Sequence, residues 1–83
     1  MSGYWNYRVI KRTYENPIDP GDPLDEYTVC EVYYYEDGSI KGWTEPVPAS
    51  ADTAEDLGKV FDMMLEALDK PILVEAELLK ERA

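Results

Sequence analysis

The run EVYYYEDGSIKGWTE, residues 31–45, constrains the fold more than any other part of the chain. Asp37-Gly38 stands between two stretches rich in β-branched and aromatic residues. That is the strongest short signal for a two-residue, type I′ β-hairpin. A loop of that length fixes the register. Tyr35 is then expected opposite Ile40, Tyr34 opposite Lys41, Tyr33 opposite Gly42, Val32 opposite Trp43 and Glu31 opposite Thr44. The register sorts the side chains onto two faces, because alternate residues of a strand point to opposite sides. One face carries Cys30, Val32, Tyr34, Lys41 and Trp43, and is expected to be the core, with Tyr34 and Lys41 at its rim. The other carries Val29, Glu31, Tyr33, Tyr35, Ile40 and Thr44. Tyr33 is expected to lie across Gly42, covering backbone that has no side chain of its own.

The remaining segments complete one small α+β domain covering residues 1–83. Residues 4–15 read as a strand, with Trp5, Tyr7 and Val9 alternating with polar residues. Arg8, Lys11 and Arg12 on it are expected to pair with acids of a neighbouring strand. Residues 16–25, NPIDPGDPLD, form a loop, since three prolines and a glycine leave no regular ladder or helix. Residues 26–36 and 39–47 are the two strands of the hairpin, the latter ended by Pro46 and Pro48. Asp52 and Thr53 are good N-cap types, and Glu55 and Asp56 suit the start of a helix running to about Asp69. Leu57, Val60, Phe61, Met64, Leu65 and Leu68 form its apolar stripe. Gly58 inside that helix suggests a close approach to the sheet. Residues 71–83 are expected to add a short second helix starting near Pro71, with Ile72-Leu73-Val74 as an alternative strand. The expected architecture is βββα: a three-stranded antiparallel sheet packed on one amphipathic helix, with a short C-terminal helix.

Chemistry-bearing motifs are scarce. The chain has no histidine, so the commonest acid–base is missing. Its one cysteine, Cys30, falls mid-strand among apolar neighbours, as a small core filler does. The spacing of Asp19, Asp22 and Asp25 does not follow a calcium loop, which needs acids at every second position and a terminal Glu. Without His or a second Cys, zinc is not expected either. Neither a phosphate loop nor a nucleophile elbow is present. No enzyme activity, cofactor or metal is therefore expected. No apolar run approaches the roughly 20 residues that span a bilayer, and MSGYWNYRVI lacks the pattern of a secretory signal, so a cytoplasmic protein is expected.

Charge points to the partner. Eighteen acids against eight bases give a net charge of −10. Such a surface repels nucleic acid and anionic membranes and attracts basic protein surfaces. One helix covers one face of a three-stranded sheet, so Tyr33, Tyr35 and Ile40 are expected on an open face. Glu31, Glu36 and Asp37, with Asp19, Asp22 and Asp25 of the loop, are expected to rim it. Tyrosines in that setting suit a protein contact, because each buries area and still offers a hydroxyl. A homodimer through that face, or through the edge of the third strand, is the alternative.

The strings WNYRVI at residues 5–10, EVYY at 31–34, GWTE at 42–45 and MLEALDKPIL at 64–73 resemble a group of small bacterial and phage-borne proteins. The chain departs from that group in its segment after Leu73 and in its enlarged Pro/Asp loop. In size, acidity and lack of an active-site motif it is also similar in type to phage anti-CRISPR proteins. That similarity implies a non-enzymatic inhibitor blocking a basic nucleic-acid-binding surface of a CRISPR effector, by acids that imitate phosphates or by obstruction. The alternative is a bacterial housekeeping module that self-associates and has no nucleic-acid-related target.

Overall fold

The computed structural model describes residues 3–82, with the side chain of residue 82 left aside. It is an α+β fold with a four-stranded mixed sheet and two helices. Strands β1 (Tyr4–Tyr14) and β2 (Leu24–Tyr34) pair along their whole length in an antiparallel hairpin, from Tyr4 opposite Tyr34 to Tyr14 opposite Leu24. β3 (Ile40–Trp43) adds to the outside of β2. Helix α1 (Ala54–Glu66) passes through a 3₁₀ turn, Ala67–Asp69, into β4 (Leu73–Val74). β4 pairs in parallel with Ile10 and Lys11 of β1, giving the order β3-β2-β1-β4. Helix α2 (Glu75–Arg82) follows at once. Thus residues 71–83 divide: the described part is a two-residue strand and then a helix, not a helix from Pro71, and the sheet has four strands where the pattern predicted three. The predicted second strand, 26–36, is displaced by two residues, because the loop before it closes earlier. Asn16 Oδ1 accepts from the backbone N–H groups of Ile18 and Asp19 at 2.9 and 3.2 Å, and Asp19 Oδ1 accepts from Gly21 N–H at 3.2 Å. Such Asx turns tighten a Pro/Asp-rich loop without regular structure.

The hairpin turn differs from the expected one. Type I′ needs positive φ at both Asp37 and Gly38. Only Gly38 has it, at 90°. Gly38 N–H donates to Tyr35 O at 3.0 Å and Tyr35 N–H to Ser39 O at 2.8 Å, which is a three-residue loop, Glu36-Asp37-Gly38, with glycine at the left-handed position. Asp37 holds it: its Oδ1 accepts from Ser39 N–H at 2.9 Å and from Ser39 Oγ at 2.6 Å. These bonds lower the Asp37 pKa, the Ser39 hydroxyl being the first cause. The longer loop puts Ile40, not Lys41, opposite Tyr34. A bulge at Lys41 then restores the expected pairs Tyr33–Gly42 and Val32–Trp43. Ile40 therefore joins the core side, and Lys41 leaves it.

The core face is the one predicted for β2, but a different helix covers it. Ile10, Cys30, Val32 and Tyr34 cluster with Leu78 of α2, and Ile40, Trp43 and Leu73 pack around them. Cys30 is fully buried. α1 contributes no buried residue. The short α2 takes the place because β4, locked to β1, delivers Glu75 and Leu78 directly onto the sheet. Most polar groups at the borders of this core are paired, the buried Arg8 Nε having no hydrogen-bond partner among the described residues. The Tyr34 hydroxyl donates to Asn6 Oδ1 at 2.8 Å and accepts from Arg8 Nη1 at 3.0 Å, while Arg8 Nη2 donates to Pro71 O at 2.7 Å. Arg12 is buried, and its guanidinium meets Glu45 after β3 and Glu75 at the start of α2, each at 2.9 Å. The hydrogen bond that Arg12 donates to Glu45 holds the Arg12 pKa above its ordinary value against the opposing effect of burial. Lys11 pairs with Asp25 at 3.6 Å, the cross-strand partner type expected of it.

α1 begins as its cap residues dictate. Thr53 Oγ1 accepts from Asp56 N–H at 3.1 Å, and Glu55 and Asp56 occupy the first turn. Leu57, Val60 and Met64 are half-buried, and Ala67 in the following turn is fully buried. Val9, pointing away from the main core, is buried too, and the turn of Ala67 lies against β1. No helix among the described residues is long and apolar enough to cross a membrane.

Candidate functional site

At the turn end of the sheet the aromatic residues gather into an open cleft of about 480 Å³. The start of β1 brings Gly3, Tyr4 and Trp5 beside Tyr33, Tyr34 and Tyr35 of β2, and Lys41, Gly42 and Trp43 of β3 close the third side. The cleft follows from local sequence. The start of β1 (Tyr4, Trp5) and the end of β2 (Tyr33, Tyr34) carry aromatic residues on both faces at the same height of the sheet, and β3 adds Trp43. The bulge at Lys41 then turns the edge strand, and Gly42 leaves room. A Cβ placed on Gly42 meets no atom within 4 Å, so Tyr33 does not cover this glycine as the pairing predicted. Tyr33 instead lies toward Trp5, ring centroids 6.4 Å apart, and Trp5 meets Tyr7 edge-on at 5.2 Å. On the other side Tyr4 stacks on the buried Tyr34 at 4.7 Å.

The Tyr33 hydroxyl donates to Glu31 Oε1, a neighbour on the same face of β2. This bond to a carboxylate raises the Tyr33 pKa, since the phenol loses its acceptor and gains a nearby negative charge on ionising. The ring is thereby held upright beside Trp5 while remaining partly open to solvent, as are Tyr4, Trp5 and Tyr35. Lys41, exposed, places one ammonium at the mouth without an ion pair among the described residues.

Of the residues picked out in the sequence, Glu31, Tyr33, Tyr35, Glu36 and Asp37 come together at this end. Asp37 is committed to the turn by its bonds with Ser39. Asp19, Asp22 and Asp25 do not join them. Asp25 lies eight residues along β2 from Tyr33, or about 26 Å at a rise of roughly 3.3 Å per residue. It is held there by Lys11 and by Thr13 Oγ1, which donates at 2.8 Å. Asp19 is engaged in its own loop. Ile40 leaves the open face for the core side. Trp5, Tyr4 and Trp43, which sequence reasoning did not include, do line the cleft. The period-two alternation of the first strand held the signal for Trp5, once paired with the predicted face of Tyr33. Among the described residues no group of three or more His, Cys, Asp or Glu side chains could hold a metal ion.

No protein-family model matches the chain, and neither a curated protein nor a solved structure matches it.

Proposed function

We propose that the chain is a non-catalytic binding protein that anchors its aromatic cleft on a basic protein surface and so obstructs a nucleic-acid-handling complex. The observation that carries this reading is the solvent-open cleft of Trp5, Tyr33, Tyr35 and Trp43, with Glu31 bonded to Tyr33 and Glu36-Asp37 in the turn that follows Tyr35, on a chain of net charge −10. Aromatic anchors in a partly desolvated pocket supply most of the energy of a protein contact, and the surrounding acids supply steering and register. The resemblance in type to phage anti-CRISPR proteins makes a CRISPR effector the first partner to test. Asp19, Asp22 and Asp25 form a separate anionic end, so a partner meeting both ends needs a basic surface about 26 Å long.

The test is a binding titration of the purified protein against a CRISPR effector, with and without its guide and target DNA. Binding that competes with DNA, weakens steeply with salt, and falls about thirtyfold in the Tyr33→Ala/Tyr35→Ala variant supports the reading. Salt-independent binding, or binding unchanged in the variant, removes it. Self-association is the second reading, because the strand order leaves the outer edge of β3 unpaired by the sheet. Lys41 on that edge and Pro46 just beyond it oppose such pairing, and sedimentation across a concentration series decides between the two.

A further inference from the structure

α1 and the 3₁₀ turn that follows it carry two apolar rows where one suffices. Leu57, Val60, Met64 and Ala67 turn inward, half-buried or buried. Phe61, Leu65 and Leu68, at spacings of four and three, form a second row that is 51%, 60% and 67% exposed. Nothing among the described residues covers it. Directly beside it, one residue on at each position, run Asp62, Glu66 and Asp69, all exposed and without an ion pair among the described residues. The bases of this helix are used elsewhere. Lys59 pairs with Asp56 at 3.8 Å, and Lys70 Nζ lies 3.5 Å from the Glu66 carbonyl.

Gly58 extends the exposed row by one more step of three. A glycine inside a helix costs about 1 kcal/mol against alanine, and the sheet does not require this one: a Cβ there meets no atom within 4 Å. The close approach expected of Gly58 is thus not made inside the fold. Its bare backbone faces open space in line with Phe61, Leu65 and Leu68, where a second helix would come nearest.

We propose that this outer face of α1 is a docking surface for an amphipathic basic helix of a partner protein. The occupant's apolar row lies on Phe61, Leu65 and Leu68, its axis crosses near Gly58, and its Lys or Arg residues meet Asp62, Glu66 and Asp69. The charge pattern selects this occupant. A second copy would set the same acidic row against itself, and an anionic membrane surface would be repelled. Helix-on-helix docking through anchors at these spacings is a common recognition mode. This surface is separate from the aromatic cleft and does not depend on it.

The experiment uses the whole protein, labelled with ¹⁵N, and two synthetic amphipathic peptides with the same leucine spacing, one flanked by Lys and one by Glu. Binding is read by fluorescence anisotropy and mapped by amide shifts. The Lys-flanked peptide is expected to bind about tenfold or more tightly than the Glu-flanked one, with shifts concentrated in residues 54–69. The Leu65→Gln/Leu68→Gln variant, which keeps good helix formers at exposed sites, is expected to lose about tenfold in affinity with an unchanged melting temperature. Asp62→Lys/Glu66→Lys is expected to reverse the peptide preference. The Tyr33→Ala/Tyr35→Ala variant binds the peptide as the parent does, which separates this surface from the cleft. Equal affinity for both peptides, no binding of the Lys-flanked one, shifts centred on the cleft, or dimerisation of the protein through this same face overturns the proposal.

Discussion

Arg12 joins three segments distant in sequence, and its replacement tests how the fold closes. Its side chain is 8% exposed, that of Glu75 27% and that of Glu45 86%. Arg12→Met keeps the aliphatic stem and removes the guanidinium. Glu45 then returns to water at little cost. Glu75 stays mostly covered without its cation, and stranding a fully buried charge costs about 3–5 kcal/mol. Because about a quarter of Glu75 remains exposed, the expected loss is about 2–3 kcal/mol. A domain of this size holds roughly 4–12 kcal/mol in all, and each kcal/mol moves its melting temperature by about 4–8 °C. Arg12→Met is therefore expected to melt about 10–20 °C lower by circular dichroism, with a parallel fall in the urea midpoint. Glu75→Gln is expected to cost about 1–2 kcal/mol and Glu45→Gln less than about 1 kcal/mol, following their burial. The double variant Arg12→Met/Glu75→Leu removes both charges and is expected to recover most of the loss. A parent-like melting temperature for Arg12→Met, or equal costs at Glu45 and Glu75, would falsify the reasoning.

Other outcomes follow from single sites. Leu78→Ala opens a cavity under α2 and is expected to cost about 2–4 kcal/mol, measured by urea unfolding; a cost below about 1 kcal/mol would mean that α2 is not the cover of the core. Gly38→Ala, at φ 90°, is expected to destabilise by about 1–2 kcal/mol, whereas Gly58→Ala is expected to stabilise by up to about 1 kcal/mol; the reverse order in thermal melts would contradict both assignments. The Tyr33 phenol titrates above its usual range because its hydroxyl donates a hydrogen bond to the Glu31 carboxylate. A raised folded-state value makes this contribution present below the unfolded pKa of about 10, and it is lost as pH rises through the folded one. Glu31→Ala is expected to move the Tyr33 titration down, as followed by its ring carbon resonance, and no movement would mean the bond does not form in solution.

The strands β1 and β2 were legible because their alternation is regular, though their pairing with each other was not, and the start of α1 was legible because Thr53 and its following acids are a complete capping signal. The face of β2 that forms the core was also legible from Cys30, Val32 and Tyr34. What covers it was not. The apolar stripe from Leu57 to Leu68 is strong enough to name a helix, but periodicity measures apolar width and not the direction in which it packs. The real cover, Leu78, stands in a helix of two turns whose place is set by a two-residue parallel pairing, a contact that leaves almost no local pattern. The turn was misjudged by one residue because Asp-Gly serves both a two-residue loop and the last two positions of a three-residue one. That single step moved Ile40 to the core side and made the Lys41 bulge necessary. At the cleft, Tyr33, Tyr35 and Glu31 were found from register, while Trp5 and Tyr4 needed the pairing of β1 with β2. Asp19, Asp22 and Asp25 were grouped with them on charge alone, and charge carries no distance.

The parallel pairing of β4 with β1 also sets an order of assembly. Tyr14 and Leu24 are joined by a loop of nine residues, whereas Leu73 must find Ile10 across 62. The entropy of closing the longer loop exceeds that of the shorter by about 1.7 kcal/mol, and only two residue pairs of sheet repay it directly. The hairpin is expected to nucleate folding, and the docking of residues 73–82 to come late, bringing Leu78 and the Arg12 bridge together in one step. Mutations in β1 and β2 should then slow refolding, while those at Leu73, Glu75 and Leu78 should chiefly hasten unfolding. Until that last step Cys30, Val32 and Tyr34 stand uncovered, so the same contact that completes the core governs how long its strands are open to other chains.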